Sequence, residues 1–387
     1  MSKNLWLGAR ILVLLVILVV FGHSVVFAAS SDKDAKTAPA IEYVTGTVLE
    51  VQPLTSTKSK QGVERSEMIS ICLTSGPESG NTVHSINYTM NRPGFDINPK
   101  VGDKVIVAVS QGVSQTQYNI ADYDRIPYMY ILLGLFVVIL LVVGGRVGLK
   151  SLFVVCFACF IILQGMIPLI LTYHLNLIMI TLLTSAIIAF VTQTTVSGWN
   201  PKTWGAVVGT VGGVAIAGIL ASLSIGLMHL TGLDNEEAIM LKVTYLAAVD
   251  FQEILFAGIV LGSLGAVMDV AISIASAQYE VKLACPHFGY KEIFKSGINV
   301  GRDVMGTMSN TLILAYLGSS LPLVLLLSAQ NNVSLLRIMN LNLIVTEITR
   351  AITGSIGLLC CIPLTALVTA FFLSRRQFVP TTNTQCR

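Results

Sequence analysis

Long apolar runs constrain this chain more than any other feature. They occupy Ile11–Ala29, Met129–Val143, Ser151–Thr172, Leu177–Thr195, Trp204–Leu230, Phe251–Ala277, Val304–Ser328 and Thr353–Leu373. Most of these runs can cross a hydrocarbon core about 30 Å thick at about 1.5 Å per residue. The second is short, and Pro127 with Tyr128 extends it as an interfacial anchor. Apolar residues make up 53% of the chain and charged residues 12%, where a soluble domain carries about 25% charged. In lipid every backbone polar group needs an internal partner. The runs therefore predict an all-α polytopic membrane bundle of about eight transmembrane helices.

Lys and Arg orient the set. Lys3 and Arg10 precede the first run, Arg146 and Lys150 follow the second, and Lys202 lies beside the fifth. Lys282, Lys291, Lys295 and Arg302 separate the sixth from the seventh, and Arg375 and Arg376 follow the last. The opposite loops carry His174, Asp234, Glu236 and Glu237, with Lys242 and Arg337 as exceptions. The positive-inside rule then puts the C-terminus in the cytoplasm and residues 30–126 on the extracytoplasmic side of a plasma membrane. The net charge of +3 reflects that bias and does not point to nucleic acid.

Residues 1–29 read as a signal peptide or a signal-anchor helix, and 30–40 as a polar tether. Residues 41–126 have a different texture, with short partly alternating segments at Glu42–Val51, Glu67–Leu73, Thr82–Tyr88, Lys104–Val109 and Gln115–Ile120. Turn residues such as Ser75-Gly76-Pro77 and Asn91-Arg92-Pro93-Gly94 separate them. Five short strands predict a small all-β, OB-like barrel outside the membrane. Its aromatics (Tyr43, Tyr88, Phe95, Tyr118 and Tyr123) are not set in a basic groove, so no nucleic-acid face is expected. A seven-helix transmembrane domain over 127–376 follows, with a cytoplasmic tail at 377–387.

Asp269 lies inside the sixth run. A carboxylate in hydrocarbon costs about 2.5–3.5 kcal/mol on insertion scales, so it normally faces a bundle interior or a watery cavity. Gly258, Gly262, Gly265, Asp269, Ser273 and Ser276 share one helical face. Small residues let a neighbouring backbone approach closely, which predicts that this face packs. Asp269 is then either a hydrogen-bonding group in a packing seam or an ion, proton or substrate contact. Asp303, Gly306, Thr307 and Asn310 share a face of the next run at a matching depth. A cytoplasmic-side polar layer of Asp269, Asp303, Thr307 and Asn310, with Arg302 as counter-charge, is geometrically allowed. Asp250 and Glu253, with Glu347 and Arg350, suggest an outer layer, read either as interfacial charge or as an outer gate. Glu347 and Arg350 are three residues apart and can pair on one helix.

Glu236–Ala248, Tyr290–Asp303 and Leu335–Thr349 mix apolar and polar residues at helical spacing, which suggests interfacial helices. Pro168, Pro322 and Pro363 fall within runs, where they can kink helices. Gly209, Gly212, Gly213 and Gly218 mark the fifth run as a close-packing helix. The chain has no H-E-x-x-H, no G-x-S-x-G and no G-x-x-x-x-G-K-[ST], so no enzyme is expected. Cys156, Cys159, Cys360 and Cys361 lie in apolar runs as small fillers, so neither a metal nor a cofactor is expected.

Several motifs resemble the YibE/F family of multi-pass bacterial membrane proteins. They are Gly144-Gly-Arg146-Val-Gly148-Leu-Lys150, the Gly258–Ser276 stretch, Gly297–Tyr316 with Gly318-Ser-Ser-Leu-Pro322, and Glu347–Arg350 continuing through Gly354–Gly357 to Thr365. The length and the exported domain are similar to the YibE-type member. That resemblance implies a bacterial cell membrane and a shorter YibF-type membrane partner, with a homo-oligomer as the alternative. It also implies a permease or a subunit of a transport complex for a small solute, in which the polar site read from the residues around Asp269 would lie within the membrane. The competing expectation is a non-transporting membrane scaffold or sensor whose exported domain binds an envelope partner.

Overall fold

The computed structural model describes residues 41–54, 65–89, 94, 96–111, 116–173, 176–244, 246, 249–329 and 334–375. The first apolar run, the tether, Phe95, His174, Arg376 and the tail lie outside the described residues. The chain divides into two compact units at Val142/Val143.

In the first unit, alternation of period two sets the strands. Val44, Gly46 and Val48 are buried between the less buried Thr45 and Thr47, as expected for a strand with one face on a core. The strands are β1 (Ile41–Leu54), β2 (Arg65–Leu73), β3 (Thr82–Thr89), β4 (Lys104–Gln111) and β5 (Thr116–Tyr123), all antiparallel in the order β3-β2-β1-β4-β5. Strand β1 is long because it serves two partners. Ile41–Thr47 pairs with β4, and Gly46–Leu54 pairs with β2 in a ladder interrupted by a register shift at Val48/Glu50, where a bulge bends the strand. Gly46 sits where both ladders overlap, and a Cβ there would lie 2.5 Å from Ile71 Cγ2. Val44, Val48, Ile69, Ile71, Leu73, Val83, Val105 and Val107 form the core.

The sheet curls until edge strands β3 and β5 approach each other, yet no ladder joins them. The result is a curled half-barrel, coarser than the closed OB-like barrel expected. Tyr118 Oη on β5 donates to Glu78 Oε2 of the β2–β3 turn at 2.5 Å. That bond to a carboxylate holds the Tyr118 phenol above its ordinary value.

The helical elements are α1 (Ile126–Phe160), a π-helical turn (Ile161–Met166), α2 (Ile167–Tyr173), α3 (Leu177–Ser197), α4 (Pro201–Leu227), α5 (Glu236–Thr244), α6 (Phe251–Ala284), α7 (Tyr290–Ser319), α8 (Leu321–Ser328), α9 (Leu335–Met339) and α10 (Asn342–Ser374). Five described helical stretches are long and apolar enough to cross a membrane: Ile126–Ile170, α3, α4, α6 and α10. Helices α7 and α8 qualify as a sixth only together, bent by 63°, with Pro322 at the start of α8. The count of about eight is not confirmed: the first expected span lies outside the described residues, and the second and third merge. The break expected at Gly144–Lys150 stays helical except at Gly145 (φ 52°, ψ −124°). Apart from its glycines the segment contains only residues that helices accommodate. Pro168 follows the π-helical turn closely, consistent with a ring that disrupts the i→i−4 ladder. The expected interfacial stretch Tyr290–Asp303 is not a separate helix but the first half of α7.

Small residues decide the packing of this unit. A Cβ on Gly205, Gly209 or Gly213 of α4 would lie 2.0 Å from Thr369 Oγ1, 1.9 Å from Thr365 Oγ1 or 2.7 Å from Cys361 Cβ of α10. One step further, Gly357 of α10 meets Ala217 of α4. The contacts advance by four residues on each antiparallel helix, so two small-residue faces mesh along their length. Helix α6 packs beside this seam through Ile259, Val260, Val267, Val270, Ala271 and Ile274, all fully buried. At the turn between α6 and α7 the buried Lys282 ammonium donates to the carbonyls of Pro286 and Phe288. Nearby, Gln278 Nε2 donates to the carbonyls of Ile293 and Ala366. Helices α3, α6 and α10 begin, and α4 and α7 finish, at one end of the unit; the other end carries Trp199 and Arg375.

Candidate functional site

Residues from four elements meet at the Asp234 end. Asn342, the first residue of α10, donates through Nδ2 to Asp234 Oδ1 at 2.6 Å and to Thr231 Oγ1 at 3.0 Å, which pins the α4–α5 loop to α10. One turn on, Thr346 is fully buried and Glu347 is half-buried. Arg350 Nη1 donates to Glu347 Oε1 at 3.2 Å, and the two side chains are 29% and 21% exposed. From α7, Tyr316 reaches α6 at Gly262, where a Cβ would lie 2.7 Å from its hydroxyl. Gly354 of α10 lies against Ser263 and Leu312 at the same level, which holds α6, α7 and α10 together.

The cluster is incompletely satisfied. Tyr316 Oη, Glu347 Oε2 and Arg350 Nε are buried atoms without a hydrogen-bond partner among the described residues, while Thr346 lies within reach of the Asp234 carboxyl. Asp234 lies within electrostatic reach of both Glu347 and Arg350. Burial pushes its carboxyl above the ordinary value, against the pull of Thr346 and Arg350 and with a further push from Glu347. Two acids face one guanidinium, so the ionised cluster carries one negative charge in excess. Chemically it can accept a proton or a cation, or hydrogen-bond a polar solute.

Of the expected outer layer, only Glu347 and Arg350 belong here, and they pair with each other. Asp250 caps α6, accepting from Gln252 N at 2.9 Å. Glu253 accepts from Leu177 N at 3.2 Å and ties α3 to α6. Sequence reasoning missed Asp234, Tyr316, Thr346 and Asn342. Asp234 had been counted as a loop charge, and no spacing rule connects it to α10.

The residues of the expected inner layer share a depth but do not meet. Gly262 lies opposite Tyr316 and Ile274 opposite Gly301, which levels Asp269 with the middle of α7. Asp269, Arg302, Asp303 and Asn310 are exposed and make no side-chain hydrogen bond or ion pair among the described residues. Thr307 Oγ1 donates to Val304 of its own helix at 2.9 Å. The expected seam of Gly258, Gly262 and Gly265 differs too. Among the described residues, Gly258 and Gly265 have nothing within 4 Å of a built Cβ, and Gly262 meets only Tyr316. Close packing within the chain is taken instead by α4 and α10, while α6 turns its large apolar face inward and leaves the glycine–aspartate face open.

Comparison with curated proteins and with solved structures finds no match. The family profile described as YibE/F-like protein matches residues 132–375. That range takes in every helix of the cluster and covers more than half of the 387 residues. The chain belongs to the YibE/F-like protein family.

Proposed function

We propose that this protein is a permease or a subunit of a transport complex in a bacterial plasma membrane, with residues 30–126 extracytoplasmic and no catalytic chemistry. One observation carries the reading: an apolar helical unit holds a partly buried cluster (Asp234, Tyr316, Thr346, Glu347 and Arg350) with excess negative charge and several unpartnered buried polar atoms. Buried polar atoms are rarely left unpaired, and ionisable groups among membrane helices mark ion, proton or solute paths. A cation, a proton or a small polar solute with its water would complete the set. Asp269 is then a second polar position on the open face of α6, reached from the same path.

A second reading has its own support. The open face bearing Asp269, Asp303 and Asn310 is costly against lipid, and another membrane protein would meet it in a non-transporting scaffold or sensor. Reconstituted protein separates the two. Flux of protons, monovalent cations and a panel of small solutes is measured for wild type, Glu347→Gln and Tyr316→Phe, with unfolding temperature as the control. The permease reading expects a flux in wild type that falls about tenfold in Glu347→Gln, equivalent to about 1.4 kcal/mol, at unchanged folding. No flux for any probe from folded wild type would sink it and leave the scaffold.

A further inference from the structure

We infer that the Trp199–Arg375 end holds a binding site for the phosphate headgroup of an anionic phospholipid. An open recess of about 400 Å³ lies there, lined by Trp199, Asn200, Pro201, Trp204, Phe372 and Arg375. Its aromatic wall belongs to a three-ring cluster. Phe190, Trp199 and Trp204 stand mutually 5.9 Å apart between ring centroids, yet Trp199 remains 73% exposed and Trp204 41%. Large indoles held in place but left uncovered at the end of membrane helices match the headgroup level of a bilayer, where the ring packs on glycerol and upper acyl chain while its N–H meets polar groups.

The charge of the recess selects the headgroup. The Arg375 guanidinium sits 4.1 Å from the Phe371 ring centroid and has no ion pair among the described residues. A guanidinium so placed keeps N–H groups to offer a phosphate, which its fork matches in two-point geometry. No carboxylate lines the recess among the described residues. Helix α4 opens there without a side-chain cap, so its positive end adds to the same field. A zwitterionic headgroup brings its own ammonium to the site, whereas an anionic one brings only charge that Arg375 attracts.

The chain has 3 tryptophans, so Trp6→Phe leaves Trp199 and Trp204 as the only indole reporters. In nanodiscs of the full chain, brominated phosphatidylglycerol and brominated phosphatidylcholine are compared as quenchers at equal mole fraction. The site expects an about fivefold preference for the anionic lipid, the attraction contributed by one cation near a membrane surface. Arg375→Gln should abolish the preference and Arg375→Lys should keep part of it, with unfolding temperature showing that each variant is folded. Equal quenching by both lipids in the Trp6→Phe parent overturns the site, as does a preference that survives Arg375→Gln. Should millimolar inorganic phosphate or glycerol 3-phosphate relieve the quenching, the recess takes soluble phosphate and the lipid assignment falls.

Discussion

Asp234 shows how one side chain can tie the cluster to both stability and pH. Burial raises its folded-state value above the ordinary 3.8, so the folded chain keeps a proton that the unfolded chain releases. This contribution to stability is complete below the unfolded value and is lost as pH rises through the raised folded value. Asp234→Asn retains the oxygen to which Asn342 donates and removes the titration. Unfolding temperature in detergent, followed from pH 3.8 upward, should therefore fall less steeply for Asp234→Asn than for wild type. Parallel profiles would mean that the Asp234 carboxylate is as well solvated folded as unfolded. The pairing of Glu347 with Arg350 was legible in the sequence, because three residues of helix bring the side chains together whatever the tertiary fold. Asp234 was not, because the contact that places it spans 108 residues. Tyr316 was equally hidden, since its partner across the helix interface is a glycine with no side chain to advertise the contact.

At the scale of elements, the two glycine faces of this unit look alike in sequence and behave differently in the fold. Both repeat small residues at intervals of about one turn, which is all that a packing motif requires. What separates them is the partner. Helix α10 offers Gly357, Cys361, Thr365 and Thr369 in matching steps to α4, whereas the Gly258–Gly265 face of α6 has no matching helix among the described residues. Gly209→Val should lower the unfolding temperature and the amount of protein in the membrane. Its added atoms collide with Thr365 down to the backbone Cα at 2.9 Å, and overpacking of this kind costs about 1–3 kcal/mol. Gly258→Val should leave both quantities near wild type, having open space around it. If the two variants are equally damaging, α6 packs on its glycine face and the arrangement of the helices is wrong. The strands were legible to within a few residues because alternation and turn residues agree there. The kink at Gly145 was not, because a double glycine between apolar runs reads equally as a turn or as a break in one helix.

For the whole molecule, the stretch Ile126–Ile170 decides which side of the bilayer residues 41–123 occupy. Its 45 residues would extend about 68 Å as helix, more than twice a hydrocarbon core of about 30 Å. A single centred crossing would put Arg146 and Lys150, both exposed, near mid-bilayer at about 2.5–3.5 kcal/mol each. Two crossings that reverse at Gly145, the one non-helical residue in α1, put both cations at an interface instead. That interface is on the side of Lys202 and Arg375, because α3 must still begin at the Asp234 end, where Glu253 holds its first turn. With two crossings, parity would send the strands to the side opposite the cations, the placement expected from the positive-inside rule. A membrane-impermeant maleimide tests this on intact cells carrying Ser79→Cys, Glu237→Cys or Lys295→Cys in a background without native cysteines. Ser79→Cys and Glu237→Cys should label from outside, and Lys295→Cys only after permeabilisation. Labelling of Ser79→Cys together with Lys295→Cys would mean one crossing. The sheet would then face the cytoplasm, and no envelope partner could reach it.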